Sequence, residues 1–349
     1  MLRHPSLSFL LAVATIPALA QEVSVTLQPL RQNFARSDDV QVQVTLSNTG
    51  LAPQFILKWH TPVEGVEAPL FDVQRDGQPV RYLGIEAKRP APSPNDYVRL
   101  EPGASITSIV ELSALYEMNV TGAYTLRYRT AAAGLFGSPG ARLSTGALAS
   151  NAASIWIDAR LPRGARPPAK QAAAGSGLEF SKCSNAQQDQ LAAAVDAGRA
   201  MTVDGHAYLT SASSRGVRDG ARYVTWFGAP DPARGTAVTK NFAAIRDAFE
   251  TKPLKIDCGC NASYFAYVYP AQPYTIYVCK AFWSAPLTGT DSRGGTLLHE
   301  LSHFTVVAGT DDHVYGQSGA AELARTDPAR AVNNADSHEY FGENSPPQQ

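Results

Sequence analysis

Thr296-Leu297-Leu298-His299-Glu300-Leu301-Ser302-His303-Phe304 is the stretch on which the reading of the whole chain turns. Its leucines recur at helical spacing, which predicts a helix with one buried face. On such a helix His299 and His303 share a face, one turn apart. From there both imidazoles can reach a single zinc ion at about 2.0–2.1 Å. Glu300 lies beside them, suited to accept a proton from a water activated by the metal. Two surface histidines on an ordinary helix would use the same letters. A buried helix gives two histidines and a glutamate no structural purpose, which favours the metal site.

Catalytic zinc keeps three protein ligands and one open position. The helix is expected to run to Ala308-Gly309, where glycine supplies a left-handed cap. The eleven-residue extension of this motif would need glycine and a third histidine at positions held by Thr305 and Gly309, so that pattern fails. Two candidates remain for the third ligand. Asp312 lies just past the helix, where a turn can bring its carboxylate back to the metal. Glu322 falls on an expected second helix, nineteen residues after His303, as in a thermolysin-like site.

The next stretch, Gly309-Thr310-Asp311-Asp312-His313-Val314-Tyr315-Gly316, resembles the Gly-Thr-x-Asp-x-x-Tyr-Gly signature of the deuterolysin (aspzincin, M35) family. The resemblance spans about Ser181 to Asn344. It implies Asp312 as third zinc ligand and Tyr315 as hydrogen-bond donor to the transition state. It also implies disulfides Cys183–Cys258 and Cys260–Cys279, and synthesis as a preproenzyme. His313 is expected to face solvent, and Asp311 to satisfy turn backbone groups.

Farther on, Asp336 and Glu339 are three residues apart in Asn333-Asn334-Ala335-Asp336-Ser337-His338-Glu339-Tyr340-Phe341. On a helix they share a face, ordinarily a solvated one. This segment is similar to the peptidyl-lysine members of the family, in which the matching acids line the pocket for the residue after the cut bond. A compact ammonium can bridge two carboxylates where a planar guanidinium fits less easily. The resemblance therefore implies cleavage of Xaa–Lys bonds, with Ala169–Lys170 a candidate for self-processing.

Outward from the motif, the chain divides into several parts. Its 349 residues suffice for two domains, 44% are hydrophobic, 17% are charged, and the net charge is −1. That balance gives no reason to expect nucleic acid or an anionic membrane as partner. Residues 1–20 read as a secretory signal, with a basic start, a short apolar run and Ala18-Leu19-Ala20 before the cut. Four cysteines in an exported chain favour two disulfides over a thiolate metal site, and Cys258 and Cys260 are too close to bridge each other without strain.

Residues 21–160 carry period-two strands, among them Val23–Leu27, Val40–Leu46 and Tyr124–Tyr128, separated by turns at Asn48-Thr49-Gly50 and Asp76-Gly77. They predict an all-β, immunoglobulin-like sandwich without catalytic residues, a pro-region or accessory domain. Residues 161–177, rich in Pro, Ala and Arg, read as a cleavable linker. Residues 178–349 predict a mainly α (α+β) zincin-type domain. It includes a helix capped by Ser184 and Gln187, another over Ala243–Phe249, and an aromatic hairpin between Tyr264 and Val278. In that hairpin sheet packing is expected before substrate contact.

The function expected from all this is a secreted, monomeric endopeptidase. It uses one Zn2+, acts on lysine-containing proteins or peptides and contacts neither membrane nor nucleic acid. The alternatives are a thermolysin-like peptidase using Glu322 and a non-catalytic exported binding protein, which would need no base at Glu300.

Overall fold

A computed structural model of the chain describes residues 22–35, 37–137, 145–158, 177–211 and 220–348. The expected signal segment, almost all of the expected linker and Lys170 lie outside them.

The N-terminal region is β-rich. Val23–Pro29, Gln41–Asn48 and Ser105–Glu111 form one antiparallel sheet. In its first two strands alternate residues are buried, as the period-two pattern requires. A second sheet runs Asn33–Phe34, Ala153–Ile157, Gly122–Ala133, Phe71–Arg75, Gln78–Pro79, with Thr145–Ala149 also paired to the long Gly122–Ala133 strand. Val25, Val44 and Leu46 from the first sheet share one apolar core with Val73, Leu126, Tyr128 and Ile155 from the second. The Asp76-Gly77 turn has positive φ at both residues, the backbone that favours Asp-Gly in a hairpin.

The C-terminal region has its own core, built from Leu191, Phe242, Phe249, Ile256, Ile276, Leu297, Leu301 and Phe341 among others. Its first long helix is Asn185–Thr210, well beyond the expected Ala186–Ala200. The helix begins with the anticipated capping box: Gln187 N–H donates to Ser184 Oγ, and Ser184 N–H donates to Gln187 Oε1. The helix expected over Ala243–Phe249 likewise extends to Pro232–Thr251, started by the Asp231 cap.

Five strands make the sheet of this region, in the order Leu178–Ser181, Leu254–Asp257, Thr275–Val278, Ala266–Val268, Glu86–Lys88. The first three are parallel, and the Ala266–Val268/Thr275–Val278 hairpin is antiparallel as expected. The edge strand was not anticipated. Glu86–Lys88 belongs to the N-terminal region yet pairs antiparallel with Ala266–Val268. The disulfides join Cys183 to Cys258 and Cys260 to Cys279, tying both ends of the sheet's connections.

The histidine helix, Arg293–His303, crosses the long capped helix through two glycines. A Cβ at Gly198 would stand 2.8 Å from Gly294 O and 2.7 Å from Phe249 Cζ. Only glycine admits that approach, because one of the obstructing atoms is backbone. Gly198→Val is expected to cost about 1–3 kcal/mol by overpacking. A thermal melt should show a clearly lowered midpoint, and an unchanged midpoint would refute the close crossing.

Candidate active site

Every residue of the histidine helix from Gly294 to His303 is buried. Ser292 starts it by accepting from Gly295 N–H at 2.9 Å, and Glu343 holds that cap by accepting from Ser292 N–H and Oγ. The helix ends at His303, five residues before the expected Ala308. Thr305, Val306 and Val307 are β-branched and poor helix formers, and the chain turns there instead. Gly309 does take positive φ, but it closes that turn, donating its N–H to Phe304 O.

The turn returns the following segment to the helix. Thr310 O accepts from His303 Nδ1 at 2.8 Å, which leaves Nε2 of that ring as the lone-pair nitrogen. His303 Nε2 stands 3.1 Å from His299 Nε2. Asp312 Oδ1 stands 3.2 Å from His299 Nε2 and 3.5 Å from His303 Nε2. Tetrahedral donors at about 2.0–2.1 Å from zinc lie roughly 3.3–3.4 Å from one another, so these spacings fit one ion. Asp312 Oδ1 is buried without a hydrogen-bond partner, as a ligand atom awaiting a metal would be. Burial opposes ionisation of Asp312, but the two histidines outweigh it and hold the carboxyl well below its ordinary range.

Glu322 does not take part. It sits on Gln317–Thr326 as expected, but its carboxylate forms a surface pair with Arg325. The thermolysin-like alternative is overturned by that placement. His313 is also not solvent-facing. Its side chain is only 18% exposed, with Nδ1 accepting from Arg330, while Asp311 accepts from Asn333 Nδ2 rather than from turn backbone.

Glu300 is fully buried, and burial pushes its carboxyl up to about 7 against the pull of His299 and His303. A group that changes charge near neutrality suits proton transfer. Its Oε2 has no partner, while Oε1 faces the amide N–H of Lys88 at 3.4 Å. Tyr315 Oη donates to Asp312 Oδ2 at 3.2 Å, and the edge of Trp59 packs against its ring.

Asp336 and Glu339 lie on Ala335–Glu343 and are wholly buried, contrary to the ordinary reading of an acidic helix face. His299 Nδ1 lies 3.0 Å from Asp336 Oδ1 and 3.2 Å from Glu339 Oε2. Carboxylates behind a histidine place the proton on Nδ1 and turn Nε2 toward the metal position. The same two acids face Lys88, whose Nζ is 2.7 Å from Glu339 Oε2 and 3.6 Å from Asp336 Oδ1. A third acid, Asp291, stands 3.1 Å from that ammonium and accepts from Tyr340 Oη. Burial works against the charge of Lys88, yet the three carboxylates hold its pKa well above the usual value.

The structure brings together the residues singled out from the sequence: the two histidines, Glu300, Asp312, Tyr315, Asp336 and Glu339. Sequence reasoning missed Lys88 and Asp291. Asp291 carried no spacing signal. Lys88 could have been found only by asking which of the chain's own lysines might enter an acidic pocket.

A family model described as "Lysine-specific metallo-endopeptidase" (Aspzincin M35) matches residues 212–343. An "Extracellular protease" of Aeromonas hydrophila is 48% identical over 314 residues, 89% of each chain. A "Peptidyl-Lys metalloendopeptidase" of Armillaria mellea is 33% identical over 349 residues, 97% of this chain and 95% of that one. A solved zinc peptidase from Grifola frondosa is 44% identical, covering 48% of this chain and all of its own, with a TM-score of 0.45. With a buried His-Glu-x-x-His helix, a third acid at bonding distance and similarity of this extent, the chain belongs to the aspzincin family of zinc metalloendopeptidases.

Proposed function

We propose that this protein is an exported endopeptidase that cuts Xaa–Lys bonds, and that its N-terminal β-region is an inhibitory pro-region. The observation that carries the proposal is Lys88, fully buried among Asp336, Glu339 and Asp291 with its own amide N–H beside Glu300. The Glu86–Lys88 strand is bound as an extended peptide would be, by antiparallel addition to Ala266–Val268. The relatives named for peptidyl-lysine cleavage agree with that specificity, and the one named as extracellular agrees with export. A monomer with an immunoglobulin-like β-sandwich remains our reading of the whole.

In this mechanism His299, His303 and Asp312 would hold the zinc. Bound there, the ion supplies Lewis acidity toward water and the peptide carbonyl. Glu300 takes the proton of the attacking water on its carboxylate and delivers it to the departing lysine amine, whose nitrogen the Lys88 amide marks at Oε1. Tyr315 Oη, released from Asp312, donates to the oxygen on which charge develops. Asp336 and Glu339 orient His299 from behind and bind the substrate ammonium in front. Their wholly buried setting excludes water, which strengthens both interactions.

The roles separate by mutation. Glu300→Ala is expected to keep its zinc and lose turnover by several orders of magnitude. Asp312→Ala should lose zinc, and Glu322→Ala should keep both zinc and activity. Metal analysis beside a casein digest reads all three, and an active, zinc-loaded Glu300→Ala protein would sink the mechanism.

Specificity is read by digesting a denatured protein and sequencing the new N-termini, where lysine should dominate over arginine. Glu339 lies nearer the ammonium, and Asp336 nearer His299 and the Gly316 amide. Glu339→Ala should therefore lose lysine preference more than zinc, whereas Asp336→Ala should lose both.

Latency is the third test. The uncut, zinc-loaded chain should be nearly inactive, and Lys88→Ala should raise its activity at least about tenfold, since breaking a buried ion pair costs about 3–5 kcal/mol. Mass spectrometry of active secreted material should show a chain beginning between about Arg163 and Leu178. Full activity of the intact chain would exclude the inhibitory role.

A further inference from the structure

We infer that Tyr264 forms a subsite for the residue following the lysine, favouring a planar cation there. The inference rests on the proposed reading of Glu86–Lys88 as a substrate-like strand and extends it by one residue. Lys88 O accepts from Phe265 N–H at 3.1 Å, so the hydrogen-bonded ladder continues past Lys88 and fixes where Arg89 emerges. The Arg89 guanidinium carbon stands 4.3 Å from the centroid of the Tyr264 ring, well within cation–π range, and the side chain is only 5% exposed.

Arg89 has two further partners, Glu67 in a salt bridge and the Trp59 ring at 5.1 Å. Both belong to the N-terminal region and would depart with it. Of the groups around the guanidinium, Tyr264 and the more distant Tyr315 stay with the peptidase region, and Tyr264 is the one whose ring face it covers. Its hydroxyl donates to Glu67 at 2.6 Å, so separation would free the hydroxyl as well as the ring face. The Tyr267 and Tyr277 rings stack at 4.6 Å and close the sheet face beyond it, so the hairpin's aromatic residues divide between packing and contact. An exposed cation–π pair is worth about 0.5–1 kcal/mol. The corresponding selectivity is about two- to fivefold.

The test uses active material from the culture medium, loaded with zinc, and peptides of the form Xaa-Lys-Zaa in which Zaa is Arg, Ala or Glu. Wild type should cleave the Arg peptide with a kcat/KM about two- to fivefold above the Ala peptide, and the Glu peptide no better than Ala. Tyr264→Phe should keep the preference, because the ring face carries it. Tyr264→Ala should lose it, bringing the Arg peptide's kcat/KM down to that of the Ala peptide. Should Tyr264→Ala not fold, Tyr264→Leu makes the same comparison. Equal rates for Arg and Ala, or a preference that survives removal of the ring, would overturn the inference. The cut position in the same peptides reports separately on lysine: cutting elsewhere defeats the Xaa–Lys reading, and the Zaa comparison is scored independently of it.

Discussion

The arrangement depends on two carboxylates shared between an imidazole and an ammonium. Asp336 and Glu339 stand behind His299 and in front of the Lys88 ammonium, all four side chains without exposure. Two buried acids three residues apart would repel each other strongly if left alone. Here Lys88 holds Asp336 below its ordinary pKa despite burial, while burial dominates at Glu339 and raises it. One pair of acids thereby both orients an imidazole and holds an ammonium, so the two interactions share an energetic origin.

That coupling explains why the region boundary is crossed at this point. A three-residue strand contributes few ladder hydrogen bonds, and an isolated two-stranded pairing is marginal in water. The strand gains its hold from the side chain at its end, whose ammonium faces three carboxylates of the C-terminal region. Arg89 adds a second attachment through Tyr264, Glu67 and Trp59. Beyond the strand, Arg330 donates to Ala131 O, a polar contact between the two regions remote from the pocket.

Much of this was legible in the letters, for identifiable reasons. Helices announced by caps and periodicity were found and erred mainly in length, because propagation through Thr202, Gly205 and Leu209 is decided by packing rather than propensity. The β-region showed because one face of each strand is buried. The metal constellation was readable because its spacing is local: four residues between histidines and a short return to Asp312. Asp291 and Lys88 were not readable, because their roles arise from tertiary proximity to residues 45 and more positions away. His313 was misread for the same reason, since Arg330 and Asn333 reach it from the following turn and helix.

A site this buried is also unusually costly, and its unpaired atoms show where the cost is offset. Among the site's buried atoms without a hydrogen-bond partner, His299 Nδ1, Asp336 Oδ1 and Glu339 Oε2 still stand in close charged contacts, and three others remain, Asp312 Oδ1, Glu300 Oε2 and Glu339 Oε1. Unsatisfied buried polar atoms cost about 1–3 kcal/mol each, more when charged. Two of the three face the position from which the metal chemistry would be done, and the third lies in the pocket that holds an ammonium. Five carboxylates, those of Asp291, Glu300, Asp312, Asp336 and Glu339, meet one lysine and two imidazoles that must be neutral to bind metal. The cluster therefore carries an excess of negative charge, which an ion at His299, His303 and Asp312 and an ammonium beside Asp336 and Glu339 would each reduce. Removal of Lys88 deepens that excess, which either protonation of the acids or another ammonium can relieve. An ammonium relieves it without surrendering the orientation of His299, whereas protonating Asp336 or Glu339 would weaken the hold of these carboxylates on that ring.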